Sequence, residues 1–237
     1  MHLRKYHGLG NDFLVLVDPD GKQPVDAAVA RAVCDRHRGA GADGLIRVTG
    51  HTLKMELYNA DGSRAETSGN GLRCLARAVV DAGLEDGPEL TVRTDAGLRR
   101  LTLGDDGQVS VEMGPARLDG NSGSVDLGNP HVVVFVDNLA ETPGPRDGVN
   151  VEYVAVGPGP DELTMRVFER GVGETQACGS GACAAAAVAH ERRLVGRQVT
   201  VHQPGGDVTV DLGSENIVLT GPAEYVCDVE FPEHAWR

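Results

Sequence analysis

The stretch "TSGNGLRC", Thr67 to Cys74, has a near-copy in "ACGSGACA", Ala177 to Ala184. In each, a small nucleophilic residue, Ser68 or Cys178, precedes a Gly-x-Gly that opens an apolar run. The pattern predicts two helix starts, where unpaired backbone N–H groups and the positive end of the helix dipole concentrate. Glycines let a ligand come close to the main chain there, and the N–H groups suit a carboxylate. At such a start a thiolate is expected to be favoured, so Cys178 reads as a base or nucleophile and as the most reactive thiol of the chain.

The duplication extends outward from these two starts. "LGNDFLVLV" from Leu9 is echoed by "LGNPHVVVF" from Leu127, an offset of 118 residues. "MELYN" from Met55 matches "MRVFE" from Met165, and "TVRTDAG" from Thr91 matches "TVHQPGG" from Thr200, offsets of 110 and 109. Ser68 follows Asn59 by nine residues, and Cys178 follows Glu169 by the same nine. Three collinear matches predict an internally duplicated fold, with lobes over 1–115 and 116–237.

Between the punctuating Gly, Asp and Pro residues run short apolar segments such as "FLVLV", "KMELY", "HVVVFV" and "TMRVF". They read as strands of a sheet built from hairpins. Against them stand "GLRCLARAVVDA", whose Arg73, Arg77 and Asp81 fall at i, i+4 and i+8 as one polar stripe, and "GACAAAAVAH", apolar on every side until His190. A helix without a polar face is a buried one, which strands must wrap. A third helix, Val25 to Arg36, has Asp26 near its start and is expected to pack outside. The class is α+β: two similar lobes, each a barrel-like mixed sheet around a central helix, with the site in the cleft between them.

Composition narrows the function. The 237 residues are 41% hydrophobic and 24% charged, ordinary for a soluble globular protein. A net charge of -13 argues against a nucleic-acid partner. There is no run of apolar residues long enough for a membrane span and no signal-peptide core near the first residue, so a cytoplasmic location is expected. Five irregularly spaced cysteines argue for reduced thiols, not a disulfide framework.

Here the motifs carry a resemblance. "NADGSRAETSGNGLRC", "GNPH" and "ERGVGETQACGSGA" are similar to the signatures of diaminopimelate epimerases, collinear over essentially the whole chain from "HGLGNDF" through "RHRGAGADGL". The resemblance implies two mixed barrels closing on an amino-acid substrate, inversion of an α-carbon without pyridoxal phosphate, and conversion of LL- to meso-diaminopimelate by two cysteines acting as base and acid. Cys178 matches one of these, and Ser68 stands where the other is expected. Family positions that hold the distal amino-acid group match Asn11, Asn59, Asn129, Asn150, Glu169 and Arg170. Gly69, Asn70, Gly179 and Ser180 match those that cradle the reacting carboxylate, and His131 enters the site by the resemblance alone. The resemblance also implies a homodimer.

The residues themselves are compatible with cofactor-free proton transfer. Removing an α-proton pushes charge into the carboxylate, which helix N-termini stabilise, and inversion needs a donor on the opposite face. The only lysines, Lys5, Lys22 and Lys54, lie in strand-like runs or a turn, so a pyridoxal Schiff base has no evident partner. No histidine or cysteine spacing suggests a metal. "GAGADG", Gly39 to Gly44, leads into a strand-like run, which disfavours a dinucleotide site. Gly179-Ser180-Gly181 lacks the full hydrolase elbow, though a thiol hydrolase through Cys178 is a third class. The leading expectation is a diaminopimelate epimerase slowed by Ser68. The alternatives are a racemase or isomerase of the same fold with another substrate, or a catalytically weak amino-acid-binding homologue.

Overall fold

The computed structural model describes residues 1–232 apart from 147, 171 and 214. It is a mixed, sheet-dominated α+β fold with, among the described residues, three α-helices, Ala27–Cys34 (α1), Gly69–Asp81 (α2) and Gly179–Glu191 (α3), and many short strands. The chain divides into two compact units. One holds Met1–Gly8, Asp12–Val109 and the chain from Pro222 onward; the other holds Leu9–Asn11 and Ser110–Gly221.

In the first unit, strand Asn11–Val17 runs parallel to Gly44–Thr49, which pairs antiparallel with Lys54–Asn59. That strand pairs with the short Arg64–Ala65 and touches Glu89–Thr94 in parallel, and Glu89–Thr94 turns back as Gly97–Leu103. In the second unit, Pro130–Phe135 runs parallel to Asn150–Val156, followed antiparallel by Glu162–Glu169 and the short Gly173–Thr175. Glu162–Glu169 then lies parallel to Gln198–Gln203, which turns back as Gly206–Asp211. The pairing order is the same in both. So is the register: Phe13 faces Gly44 as His131 faces Asn150.

These parallel pairs correct the expectation of a sheet built from hairpins. Parallel neighbours need a long crossover, and α2 and α3 occupy two of those crossovers. Strand patterns such as "ELTVRT", buried at every second residue, show the period of two that a half-buried strand requires.

The helices follow from local chemistry. Asp26 caps α1, its carboxylate accepting from the backbone of Ala28 and Val29 at 2.8 and 2.9 Å. Val29, Ala30, Val33 and Cys34 then pack with Leu3, Leu14, Leu16 and Leu45. In α3, every residue from Gly181 to Ala189 is buried, as its sequence implies. It packs against six strands of its unit, from Ser124–Asp126 to Gly206–Asp211, and alanine side chains are what let so many strands approach one helix.

Helix α2 departs from its sequence reading. Arg73 belongs to no solvent stripe: it is fully buried, donating from Nε to Pro222 O at 3.1 Å and from Nη2 to Asn70 Oδ1 at 2.9 Å. Arg77 and Asp81 do pair on the outer side, and Asp81 also accepts from Tyr6 Oη at 2.8 Å. A long side chain at a helical i+3 reaches back over the preceding turn, and here that turn carries Asn70.

The "GAGADG" loop is clamped to the first unit and leads into strand Gly44–Thr49. Asp12 accepts from Asp43 N at 3.0 Å, from Lys5 Nζ at 2.8 Å and from Arg36 in bidentate fashion. Burial opposes the charge on Asp12, but the Arg36 and Lys5 contacts outweigh it and hold its carboxyl below the usual range.

Candidate active site

Ser68 and Cys178 are both helix N-caps with the same backbone conformation. Ser68 sits at φ −149°, ψ 125° and Cys178 at φ −130°, ψ 114°, each ahead of a 13-residue helix. Each accepts the N–H of the residue three positions on: Gly71 N to Ser68 Oγ at 3.0 Å, Gly181 N to Cys178 Sγ at 3.4 Å. The longer second distance is that of a sulfur acceptor.

The first turn of α2 brings Gly69 and Asn70 beside Ser68, both buried. Asn70 is fixed by Arg73, so its position is set from inside the helix. Asn59 ends strand Lys54–Asn59 and is exposed, with Nδ2 on Ser63 Oγ at 2.9 Å and its backbone N on Ser63 O. That is a turn role, the simpler reading of an asparagine before a tight turn.

In the second unit the predicted residues fall into separate hydrogen-bonded groups, one around His131 and one around Asn150. Asn129 Oδ1 lies 3.0 Å from His131 Nε2, and His131 Nδ1 lies 2.6 Å from Glu152 Oε1. Asn150 donates from Nδ2 to Pro130 O at 3.3 Å and accepts from Arg170 N at 2.9 Å. Glu169 accepts from Thr175 Oγ1 at 2.6 Å. Ser180 Oγ lies 3.5 Å from Cys178 Sγ, with buried Gly179 between them in sequence.

Asn11 follows Leu9 and Gly10, whose φ angles of 57° and 83° are left-handed. That turn packs tightly in the second unit. A Cβ on Gly10 would strike the Gln176 side chain, and one on Gly205 would strike the carbonyl of Leu9.

Cys178 contradicts the thiolate expected of a helix start. Burial first, then the Glu169 and Glu152 carboxylates, push its thiol well above the ordinary value, and the contacts from Ser180 and Gly181 only partly oppose this. A cap N–H and a dipole act through the first turn, but desolvation and two anions act on the same sulfur and prevail. Cys34 and Cys74 are raised to about 12, chiefly by burial. The exposed thiol is Cys227.

Three residues at the site escaped the sequence reading. Arg73 holds Asn70. Gln203 is 8% exposed and accepts Cys178 N on Oε1 at 2.8 Å. Glu152 grips His131; the signal available for it was a single acid inside the apolar run "NVEYVAV".

Comparison with solved structures places the fold. The fold is shared with a PhzF-family phenazine biosynthesis protein of Bacillus anthracis (TM-score 0.78, 19% identity, 98% of this chain and 99% of that one). A probable proline racemase of Agrobacterium radiobacter has it too (TM-score 0.73, 16% identity, 98% and 93%). The family profile described as diaminopimelate epimerase matches residues 3–118 and 123–226, and the chain belongs to that family. Diaminopimelate epimerases of Moorella thermoacetica and Thermobifida fusca are each 39% identical to it, covering 98% and 96% of this chain and 99% and 97% of theirs.

Proposed function

We propose that the chain is a cofactor-independent diaminopimelate epimerase that inverts the α-carbon of LL-diaminopimelate to the meso form, a step toward lysine and peptidoglycan precursors. The observation that carries this is the matched pair of N-caps, Ser68 and Cys178, at the glycine-lined starts of two equal helices in a chain of this family. In this reading the lobes 1–115 and 116–237 each contribute one helix start, and the substrate carboxylate is held by the N–H groups at Gly69, Asn70, Gly179 and Ser180. Asn11, Asn59, Asn129, His131, Asn150, Glu169 and Arg170 read the remaining amino and carboxylate groups.

The chemistry follows from the protonation of the caps. One cap removes the α-proton, the electron pair of that C–H bond passes into the carboxylate, and the other cap delivers a proton to the opposite face. A buried thiol at Cys178 is poised to deliver. To abstract instead, it must first lose its proton, and a substrate ammonium against Glu169 would cancel one of the charges opposing that step. Ser68 is the weaker partner, because a hydroxyl that has given up its proton is an alkoxide, a far stronger base than a thiolate.

Monitoring α-hydrogen exchange and epimerisation of LL- and meso-diaminopimelate in D₂O tests the reading. Exchange at the α-carbon of either isomer supports it, and binding without exchange favours the second reading, an amino-acid-binding homologue suggested by Ser68. The chain is further read as a cytoplasmic homodimer. Free cysteines are compatible with the location, and the dimer rests on the family resemblance. Sedimentation in solution decides the assembly.

A further inference from the structure

The two helix starts are alike in front and different behind. In the first unit the register places Val15 opposite Ile46, and in the second it places Val133 opposite Glu152, so Ile46 and Glu152 hold equivalent places. Each lies against the third residue of its helix. A Cβ on Gly71 would come 3.2 Å from Ile46 Cδ1, and one on Gly181 would come 2.7 Å from Glu152 Oε1. The neighbours differ in the same sense: Phe13 stands where the other unit has His131. At these two equivalent places the first unit has Phe13 and Ile46, and the second has an imidazole and a carboxylate.

Stability does not account for that pair. His131 and Glu152 are both fully buried, and Glu152 Oε2 has no hydrogen-bond partner among the described residues. A buried carboxylate costs desolvation that an apolar residue does not, and at the equivalent places of the first unit Phe13 and Ile46 are both buried and apolar. What the Glu152–His131 pair does have is a place beside Cys178's hydrogen-bond donor: Gly181, whose N–H reaches Cys178 Sγ, is the residue against which Glu152 lies.

We propose that Glu152 is a positioning residue of this site, acting with His131 as a buried carboxylate–imidazole pair that keeps the proton on Cys178 Sγ in the resting enzyme, with no counterpart behind Ser68. The inference deepens the reading of Cys178 as a proton-transfer group and rests on it. Glu152 accepts from His131 Nδ1 and so fixes the ring, while its charge disfavours a second anion at the neighbouring sulfur. The two faces of the reaction are then unequal by construction.

The groups that face Cys178 can be named. From the strands packed against α3 they are Glu169, Glu152 and, through Glu152, His131. Glu162 and Asp207 are engaged with His202, Arg166 with Glu174, and Asp126 and Asp211 with turn N–H groups. On α3 itself, His190 bonds to Val195 O beyond the far end of the helix.

The test is the pH profile of Cys178 alkylation by iodoacetamide, read by mass mapping of the Cys178 peptide from pH 6 to 10 in the full chain. Glu152→Gln keeps an acceptor for His131 and removes the charge. Its rising limb should move to lower pH by at least one unit, so that at a pH on the native limb Cys178 labels at least tenfold faster. Should Glu152→Gln fail to fold, the double variant His131→Phe with Glu152→Ile imports the pair the first unit already buries and should move the limb in the same direction. An unmoved limb overturns the proposal. So does a rate raised equally at every pH, which reports loosened packing. The alkylation needs no substrate, so its outcome is separate from that of the diaminopimelate exchange assay.

Discussion

Asn150 Oδ1 accepts the backbone N–H of Arg170 at 2.9 Å, so the main chain at Arg170 is pinned while its side chain is left exposed. Replacing that side chain should therefore spare the fold. Arg170→Lys is expected to change stability by less than about 0.5 kcal/mol, as for surface positions generally, while weakening diaminopimelate binding roughly tenfold or more, because a lysine has no bidentate fork. Calorimetric titration beside a thermal melt checks both parts. Undiminished affinity would remove Arg170 from the site.

Ser68→Cys should raise turnover. A positioned acid or base contributes about 10²–10⁴ in rate, and the thiol supplies a second group able to both give and take a proton. Steady-state epimerisation of LL-diaminopimelate by the two proteins measures it. A serine form already as fast as the cysteine form would mean that another group serves that face.

Thiol labelling should run against what a helix start alone suggests. Cys227 is exposed and should be modified first; Cys178 should lag at neutral pH and gain as pH rises, since only the thiolate reacts and burial with two carboxylates withholds it. Mass mapping after brief alkylation at pH 7 and pH 9 tests the order. Cys178 labelled first at pH 7 would show that the cap outweighs burial after all.

Gly181→Ala should cost more than Gly71→Ala. Alanine gains about 1 kcal/mol of helix propensity at either position, but at Gly181 the new methyl meets Glu152 Oε1 at 2.7 Å, an atom already held by His131 and unable to swing away. Overpacking of this kind costs about 1–3 kcal/mol. At Gly71 the contacts, with Ile46 Cδ1 and Ser68 Cβ, are both 3.2 Å, half an ångström longer than that with Glu152, and need a smaller adjustment. Equal denaturant midpoints for the two variants would contradict the close approach of Glu152.

His202 joins two strands and adds a pH dependence. Its Nδ1 lies 2.8 Å from Asp207 and its Nε2 3.3 Å from Glu162, and the Asp207 contact, against some burial, raises its pKa above the ordinary value. A raised folded value means the contribution is complete below the unfolded pKa of about 6.5 and disappears as pH climbs through the folded one. The partly exposed pair contributes at most about 1 kcal/mol. The stability difference between the native chain and His202→Gln should shrink from pH 6 to pH 9. A constant difference would mean that the ring acts only as packing.

Much of this was legible in residue patterns. Repeated Leu-Gly-Asn strands fall on equivalent parallel pairs, and the alanine run of α3 is as buried as its lack of a polar face requires. Period and repetition are local signals, and local signals survive in a string of letters. Burial of charge does not. Arg73 looked like one more member of a polar stripe, because a helical wheel does not reveal which strand end, here Pro222, comes to lie across it. Cys178 carried a correct cap and an incorrect charge state, since the anions that oppose its thiolate come from strands 9 and 26 residues earlier in sequence. Glu152 was visible only as an anomaly in an apolar run. Its meaning depends on Ile46, a residue in a different repeat.

The pairing of strand His2–Gly8 with Glu224–Glu230 ties almost the first residue to almost the last, with His2 opposite Glu230. On a ribosome this sets an order of assembly. The unit drawn mainly from Ser110–Gly221 is nearly contiguous and can close while the chain is still being made; the other waits for Glu224–Glu230, with one edge of His2–Gly8 open meanwhile and the other paired to Asn11–Val17. Closing so long a loop makes that last pairing slow by topology alone. Pulse-labelled hydrogen exchange during refolding should protect Val199, Val201 and Val210 before Leu3 and Lys5, and the reverse order would refute it. Until the last strand docks, the newborn chain is open to chaperones and to its own copies along that edge.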